Sequence, residues 1–243
     1  MILLVGLGNP DAKHAKNRHN AGFLAVDAIA NANGFGPERQ KFKGLLREGK
    51  LGTQKVLILK PPTFYNESGS AVATAARFHK IPPEDIVVFH DEIDLAPGKL
   101  RVKKGGGLAG NNGLKSTAAH MGPDFWRVRI GIGHPGQKDA VTRHVLGDFS
   151  KAEHQDWLDE MLDRMGRAAP HLVPPSDEAA GRLMAGVAQP GAKRSAQQGA
   201  KRSAQTGAKD NGSPQERKAE PAKAAEPKSS SPFDLLKKLK GGE

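Results

Sequence analysis

His19 stands in the run KNRHNAGF, residues 16–23, after a glycine-containing turn and ahead of an expected helix. An imidazole titrates near neutrality, so it can take a proton from water under physiological conditions. A second stretch, DIVVFHDEID at 85–94, reads as a buried strand that delivers Asp91, Glu92 and Asp94 at its carboxyl end. A carboxylate there can fix a histidine in one tautomer and stabilise its protonated form. Asn9 in GLGNPD, Asn66 in KPPTFYNESG and Asn112 in GGGLAGNNG add neutral amides that both donate and accept hydrogen bonds. Taken singly, each has an ordinary explanation, His19 as a polar loop residue and Asn66 as a helix cap. Together they offer a general base, its carboxylate and several amides.

Other chemistries fit the residues poorly. A dinucleotide fingerprint G-x-G-x-x-G fails at GLGNPD, because Asp11 takes the place of the third glycine and Pro10 removes a backbone donor. That argues against a nicotinamide oxidoreductase. The run GGGLAGNNG does not accommodate G-x-x-x-x-G-K-[ST], so it is read as a loop that brings Asn112 over a site. No HExxH and no G-x-S-x-G elbow occurs, and His14 and His19 are not at zincin spacing. With no cysteine there is no disulfide and no thiolate ligand or nucleophile. Lys103 and Lys104, with Arg127 and Arg129 on a later strand, suit a clamp for phosphate, or else a solvated strand face.

Elements that must position these residues follow from hydrophobic periodicity. MILLVG at the start, KVLILK at 55–60, DIVVFH at 85–90, KLRVKK at 99–104 and RVRIGIG at 127–133 read as strands. GFLAVDAIANANG carries apolar residues at helical spacing and stops at Asn33-Gly34. SGSAVATAARFHK, NGLKSTAAHM and the amphipathic run from about 151 to 167 read as further helices. The alternation predicts a single α/β domain whose helices flank a mixed, largely parallel sheet, with ligands beyond the carboxyl ends of strands.

Composition divides the chain into a folded part, 1–186, and a tail, 187–243, in which GAKRSAQ at 191–197 recurs at 199–205. The tail is too poor in apolar residues to offset its ordering entropy and is expected to be disordered and basic, with a short terminal helix at PFDLLKKLK. Of the formal charge of +11, the tail contributes 12 basic against 6 acidic residues. Such a chain is drawn to polyanions by counterion release. The tail is expected to tether tRNA, the ribosome or other RNA; an inert spacer, or docking of its apolar stripe on a partner or membrane surface, are the alternatives. The start lacks a basic n-region, and no run of about 18 apolar residues occurs, so a cytoplasmic protein without stable membrane insertion is expected.

Four motifs in register carry a resemblance: GLGNP with RHNAGF, KPPTFYNESG, HDEIDLAPGKLRVKKGGG with NNGLKS, and RVRIGIGHPG. In order and spacing the chain resembles the bacterial-type peptidyl-tRNA hydrolases over nearly all of 1–186. The resemblance implies hydrolysis of the ester joining a peptide to the 3′ ribose of tRNA, recycling tRNA from abandoned translation. It implies His19 as catalytic base and Asp91 as the carboxylate that orients it. Asn9, Asn66 and Asn112 would hold the peptide and the attacking water, with His14 and Tyr65 also lining the substrate site, and Lys103 and Arg129 would grip tRNA phosphate. A monomeric enzyme needing no metal and no cofactor is implied, acting on peptidyl-tRNA and not on DNA. The chain departs from the family pattern at Asp11, His14, Asn17, Tyr65 and Asn111, where glycine, tyrosine, threonine, methionine and histidine are usual. Asp11 adds negative charge near an anionic ligand, and the loss of tyrosine at 14 weakens stacking on a terminal nucleotide. The competing expectation is an RNA-binding protein that kept this fold without turnover.

Overall fold

The structure, a computed structural model, describes residues 1–61, 68–108 and 110–188. Tyr65, Asn66 and the tail beyond 188 lie outside these residues. The strands are β1 (Ile2–Gly6), β2 (Arg39–Lys41), β3 (Gly44–Leu51), β4 (Gln54–Lys60), β5 (Ile86–Glu92), β6 (Leu100–Lys104) and β7 (Trp126–Gly131). They form one sheet in the order β2-β3-β4-β1-β5-β7-β6. β1 pairs in parallel with β4 and β5, and β5 with β7, whereas β2, β3 and β6 join their neighbours antiparallel. The sheet is therefore mixed with a parallel centre, as the alternation of elements predicts. The β2–β3 hairpin was not foreseen.

The helices are α1 (Ala21–Ala32), α2 (Ser68–His79), α3 (Asn112–Met121), α4 (Val141–Val145), α5 (Lys151–Glu153), α6 (Asp159–Ala168) and α7 (Asp177–Ala188). A π-helical turn, His154–Leu158, joins α5 to α6, so the amphipathic run continues as one rod with a bulge. Ser150 caps it with a reciprocal box, its side chain accepting from Glu153 N–H while the Glu153 side chain accepts from Ser150 N–H.

Strand alternation sorts the core into two layers. Ile2 and Leu4 of β1 and Val87 and Phe89 of β5 pack with Val26 and Ile29 of α1, Met161 and Met165 of α6 and Leu183 of α7. Leu3, Val5, Ile86 and Val88 face the other way, toward Val72 and Ala76 of α2 and Leu114 of α3. Covered on both faces, β1 is buried along its whole length, which explains why it reads as a continuous apolar run.

At the carboxyl ends of β1 and β5 the first turn of α1 comes very close. Leu7 N–H donates to the Phe89 carbonyl at 2.9 Å. A Cβ built on Gly22 would lie 2.3 Å from that carbonyl oxygen and 2.6 Å from the Leu7 nitrogen. Only glycine lets the helix start there, because the obstructing atoms are backbone. Gly22→Ala is expected to destabilise the fold by roughly 1–3 kcal/mol, at the upper end of that range, through overpacking. Urea unfolding measures this, and an unchanged midpoint would refute the close-approach argument.

One buried group on β5 makes stability depend on pH. His90 is 1% exposed, its Nδ1–H donates to the Asp91 carbonyl at 2.7 Å, and its Nε2 finds no partner among the described residues. Burial pushes its pKa below the ordinary value of 6.5, more than the opposing attraction of Asp91 and Glu92 raises it. Since the unfolded chain takes the proton more readily, the stability contributed by neutral His90 is complete above about pH 6.5 and is lost as the pH falls below it. His90→Gln is expected to flatten the dependence of the urea midpoint between pH 7.5 and 5.5; equal slopes in both proteins would contradict the assignment.

Candidate active site

His19 lies in a 3-10 turn, Arg18–Asn20, that leads into α1. Its Nδ1 sits 2.9 Å from Oδ2 of Asp91, 72 residues away in sequence. The Asp91 side chain is 4% exposed and that of His19 18%, so the pair is sheltered yet reachable. With Nδ1–H donating to the carboxylate, the lone pair is on Nε2, the tautomer a general base needs. Asp91 can reach His19 because it projects from β5 on the α1 side of the sheet, one residue out of phase with Glu92.

Asn20, which sequence reasoning passed over, is 2% exposed and holds Asn9. Its Oδ1 accepts from Asn9 N–H at 2.7 Å and its Nδ2 donates to the Asn9 carbonyl at 3.0 Å. Both main-chain groups of Asn9 are thus fixed one residue away from His19. Arg18 anchors the same turn from outside. Its Nε and Nη2 donate to the two carboxylate oxygens of Glu153 at 3.1 and 2.7 Å, a bidentate fork, and its ring-facing guanidinium carbon lies 5.6 Å from the Phe149 centroid. Arg18 N–H donates to Gly147 O at 3.0 Å, and Asn17 Nδ2 donates to Asp148 Oδ1 at 2.7 Å. Burial would raise the Glu153 carboxyl, but the hydrogen bonds from Ser150 and Arg18 outweigh it and hold the group below the usual glutamate range. The side-chain partners are 131 and 135 residues apart, a separation at which no local pattern in RHN announces them.

The remaining expected residues distribute as follows. His14 closes the short 3-10 turn Ala12–His14, with Nδ1 3.6 Å from Oδ2 of Asp11. Lys13 Nζ lies 3.9 Å from the same carboxylate, so the extra negative charge expected from Asp11 has a basic neighbour on either side. Asn112 is the first residue of α3 and is exposed. Asn111 caps that helix, its Oδ1 accepting from Leu114 N–H at 3.0 Å. Lys103 and Arg129 do come together, but on the α2–α3 face, opposite the His19–Asp91 pair across β5 and β7. Register places Lys103 beside Arg127 and His90 beside Arg129. Arg129 is already paired, its Nε donating to Glu92 Oε2 at 2.9 Å. Burial and then the neighbouring Arg127 and Arg129 charges lower the Lys103 pKa, the mark of a crowded cationic cluster.

Beyond the carboxyl ends of β5 and β7 a cleft of about 570 Å³ runs between residues 93–97 and 132–134, closed by His144 and Glu153. Its wall is partly apolar, with Ile93, Leu95, Pro97 and Ile132, and Glu153 ties it to the Arg18 anchor. Among the described residues no group of three His, Asp or Glu side chains is placed to hold a metal ion, and no helix is long and apolar enough to cross a membrane.

The chain's likenesses agree with this geometry. A sequence profile described as peptidyl-tRNA hydrolase matches residues 3–194. The peptidyl-tRNA hydrolase of Parvibaculum lavamentivorans is 58% identical over 177 residues, covering 73% of this chain and 86% of that protein. That of Rhodospirillum rubrum is 60% identical over 163 residues, 67% of each chain. A crystal structure of peptidyl-tRNA hydrolase from Acinetobacter baumannii superposes with a TM-score of 0.69 at 40% identity, covering 76% of this chain and 95% of that one. The fold, the matched segment and the degree of identity place this chain in the peptidyl-tRNA hydrolase family.

Proposed function

We propose that the chain hydrolyses peptidyl-tRNA, cleaving the ester between the peptide and the 3′ ribose so that tRNA released prematurely from ribosomes is recycled. The observation that carries this reading is the 2.9 Å contact between His19 Nδ1 and Asp91 Oδ2, inside the segment shared with the family. His19 Nε2 takes a proton from water as the water oxygen attacks the ester carbonyl. Asp91 stabilises the imidazolium that results. Amide N–H groups of Asn9, Asn66 and Asn112 stabilise the oxyanion of the tetrahedral intermediate, which is a task suited to neutral donors that carry no charge of their own. Collapse breaks the bond to the ribose oxygen, which leaves with the proton held on His19. The products are tRNA with its 3′ hydroxyl restored and a peptide carboxylic acid, which gives its proton to solvent and leaves as the carboxylate.

An ester of a ribose hydroxyl is activated enough that one base and a few donors suffice, with no metal or cofactor required. Lys103 and Arg129 hold a tRNA phosphate on the far side of the sheet, positioning the substrate without reading its sequence. Arg129 is pre-oriented for this by Glu92, while Lys103 carries the less compensated charge. Basic residues beyond 194, outside the family match, add a nonspecific tether to tRNA or the ribosome. The enzyme acts as a monomer in the cytoplasm.

Release of an N-blocked peptide from tRNA tests the reading. His19→Ala is expected to lower kcat by about 10²–10⁴. Asp91→Asn should lower it by a smaller factor, because the imidazole stays while the charge that stabilises its protonated form is gone. A wild-type protein that binds tRNA without releasing peptide would instead be an RNA-binding module. Lys103→Ala is expected to weaken tRNA binding uniformly and to reduce the slope of log affinity against log salt by about one. An unchanged slope would remove Lys103 from the phosphate contact.

A further inference from the structure

Arg127, on β7, is the bulkiest fully buried side chain among the described residues and is 2% exposed. Its Nη1 donates to the Gly107 carbonyl at 2.6 Å, while Nε and Nη2 find no acceptor among the described residues. Burying a guanidinium with two unmatched nitrogens is costly, and an apolar side chain of similar volume would serve packing better. Its natural counter-ion is occupied, since Glu92 is hydrogen-bonded to Arg129. Burial, reinforced by the Arg129 charge, accordingly lowers the Arg127 pKa. What this cation does hold is backbone. Gly106 adopts φ +88°, and a Cβ built there would lie 3.0 Å from Arg127 Nη2 and 3.1 Å from Lys103 Nζ. The glycine segment thus lies close against two cationic side chains of the sheet, in a backbone conformation that favours glycine.

That segment leads directly to the amide expected at the site. Asn111 N–H donates to the Leu108 carbonyl at 2.9 Å, the Asn111 side chain caps α3, and Asn112 is its first residue. Gly105 N–H donates to the Phe125 carbonyl at 3.0 Å, and the bond at Gly107 adds a side-chain grip from β7 on this stretch.

We propose that Arg127 is a positioning residue for the reaction: its hydrogen bond to Gly107 fixes the glycine segment on the sheet and thereby sets where Asn112 stands relative to His19. This rests on the reading in which Asn112 takes part in hydrolysis. It assigns Arg127 a role distinct from that of Lys103 and Arg129, which lie in the same cluster but contact phosphate.

Two substrates separate these roles: an N-blocked aminoacyl-tRNA, and the same N-blocked aminoacyl ester on a short 3′-terminal oligonucleotide that lacks the remaining phosphates of tRNA. Arg127→Met is expected to lower kcat at least tenfold on both, with less than a twofold change in KM for the short one. Amide hydrogen exchange at 105–108 should quicken by a similar factor while α1 is unaffected. If the variant instead raises KM on tRNA alone and leaves the short substrate untouched, Arg127 is a phosphate contact and the proposal is overturned. Should Arg127→Met fail to fold, Arg127→Gln, whose shorter side chain stays polar but does not reach the Gly107 carbonyl, is measured in its place with the same expectation. His19→Ala is assayed in parallel: His19-dependent turnover that is indifferent to Arg127 sinks this inference alone, whereas absence of turnover in the wild type sinks the hydrolase reading itself.

Discussion

Everything at the site depends on how closely α1 begins to the carboxyl ends of β1 and β5. Those strands pair in parallel with Gly6 opposite Phe89, and Leu7 N–H continues the ladder to the Phe89 carbonyl. Gly22 then seats the helix against that same carbonyl. The turn Arg18–Asn20, immediately ahead of the helix, inherits its position from this contact, and so does the imidazole of His19. A shift of the helix by one ångström would lengthen a 2.9 Å hydrogen bond beyond useful strength. The geometry of the His19–Asp91 pair is thus a property of backbone packing before it is a property of the two side chains.

The central strands and the main helices are legible in the sequence because their periods are strong. MILLVG, KVLILK and DIVVFH are apolar runs bounded by polar or glycine residues, as strands buried on both faces must be. The β2–β3 hairpin is hidden for two reasons. β2 is three exposed polar residues, Arg39–Lys41, at the edge of the sheet, and its turn places Phe42 and Lys43 at positive φ without glycine or asparagine to mark it. α7 is masked by its own small residues, since DEAAGRLMAGVA has alanines and glycines where larger apolar residues would have shown a helical stripe. At the site, His19 and Asp91 could be named from motifs. Asn20 and the Arg18–Glu153 fork could not, because a hydrogen bond between distant residues leaves no trace in local spacing.

The alternation of β5 explains how one strand end serves two chemistries. Asp91 projects toward α1 and meets His19, while Glu92 projects toward α2 and α3 and pairs with Arg129. The sheet therefore stands between the base and the cluster of Lys103, Arg127 and Arg129. This separation matters electrostatically. Three cations beside His19 would disfavour its protonation and blunt it as a base, because like charges oppose the charged form. On the opposite face they leave the imidazole to its own carboxylate.

The same logic bears on Asp11, one of the residues that depart from the family pattern. Read alone, Asp11 is a carboxylate placed near an anionic substrate, which should repel it. In the folded chain Lys13 and His14 both approach that carboxylate, at 3.9 and 3.6 Å, from the 3-10 turn that follows it. Surface pairs of this kind contribute little to stability, so their consequence is for the local field and not for the fold. Lys13 cancels one unit of charge whether or not His14 is protonated, and the added carboxylate therefore costs the substrate far less attraction than its position in GLGNPD suggests.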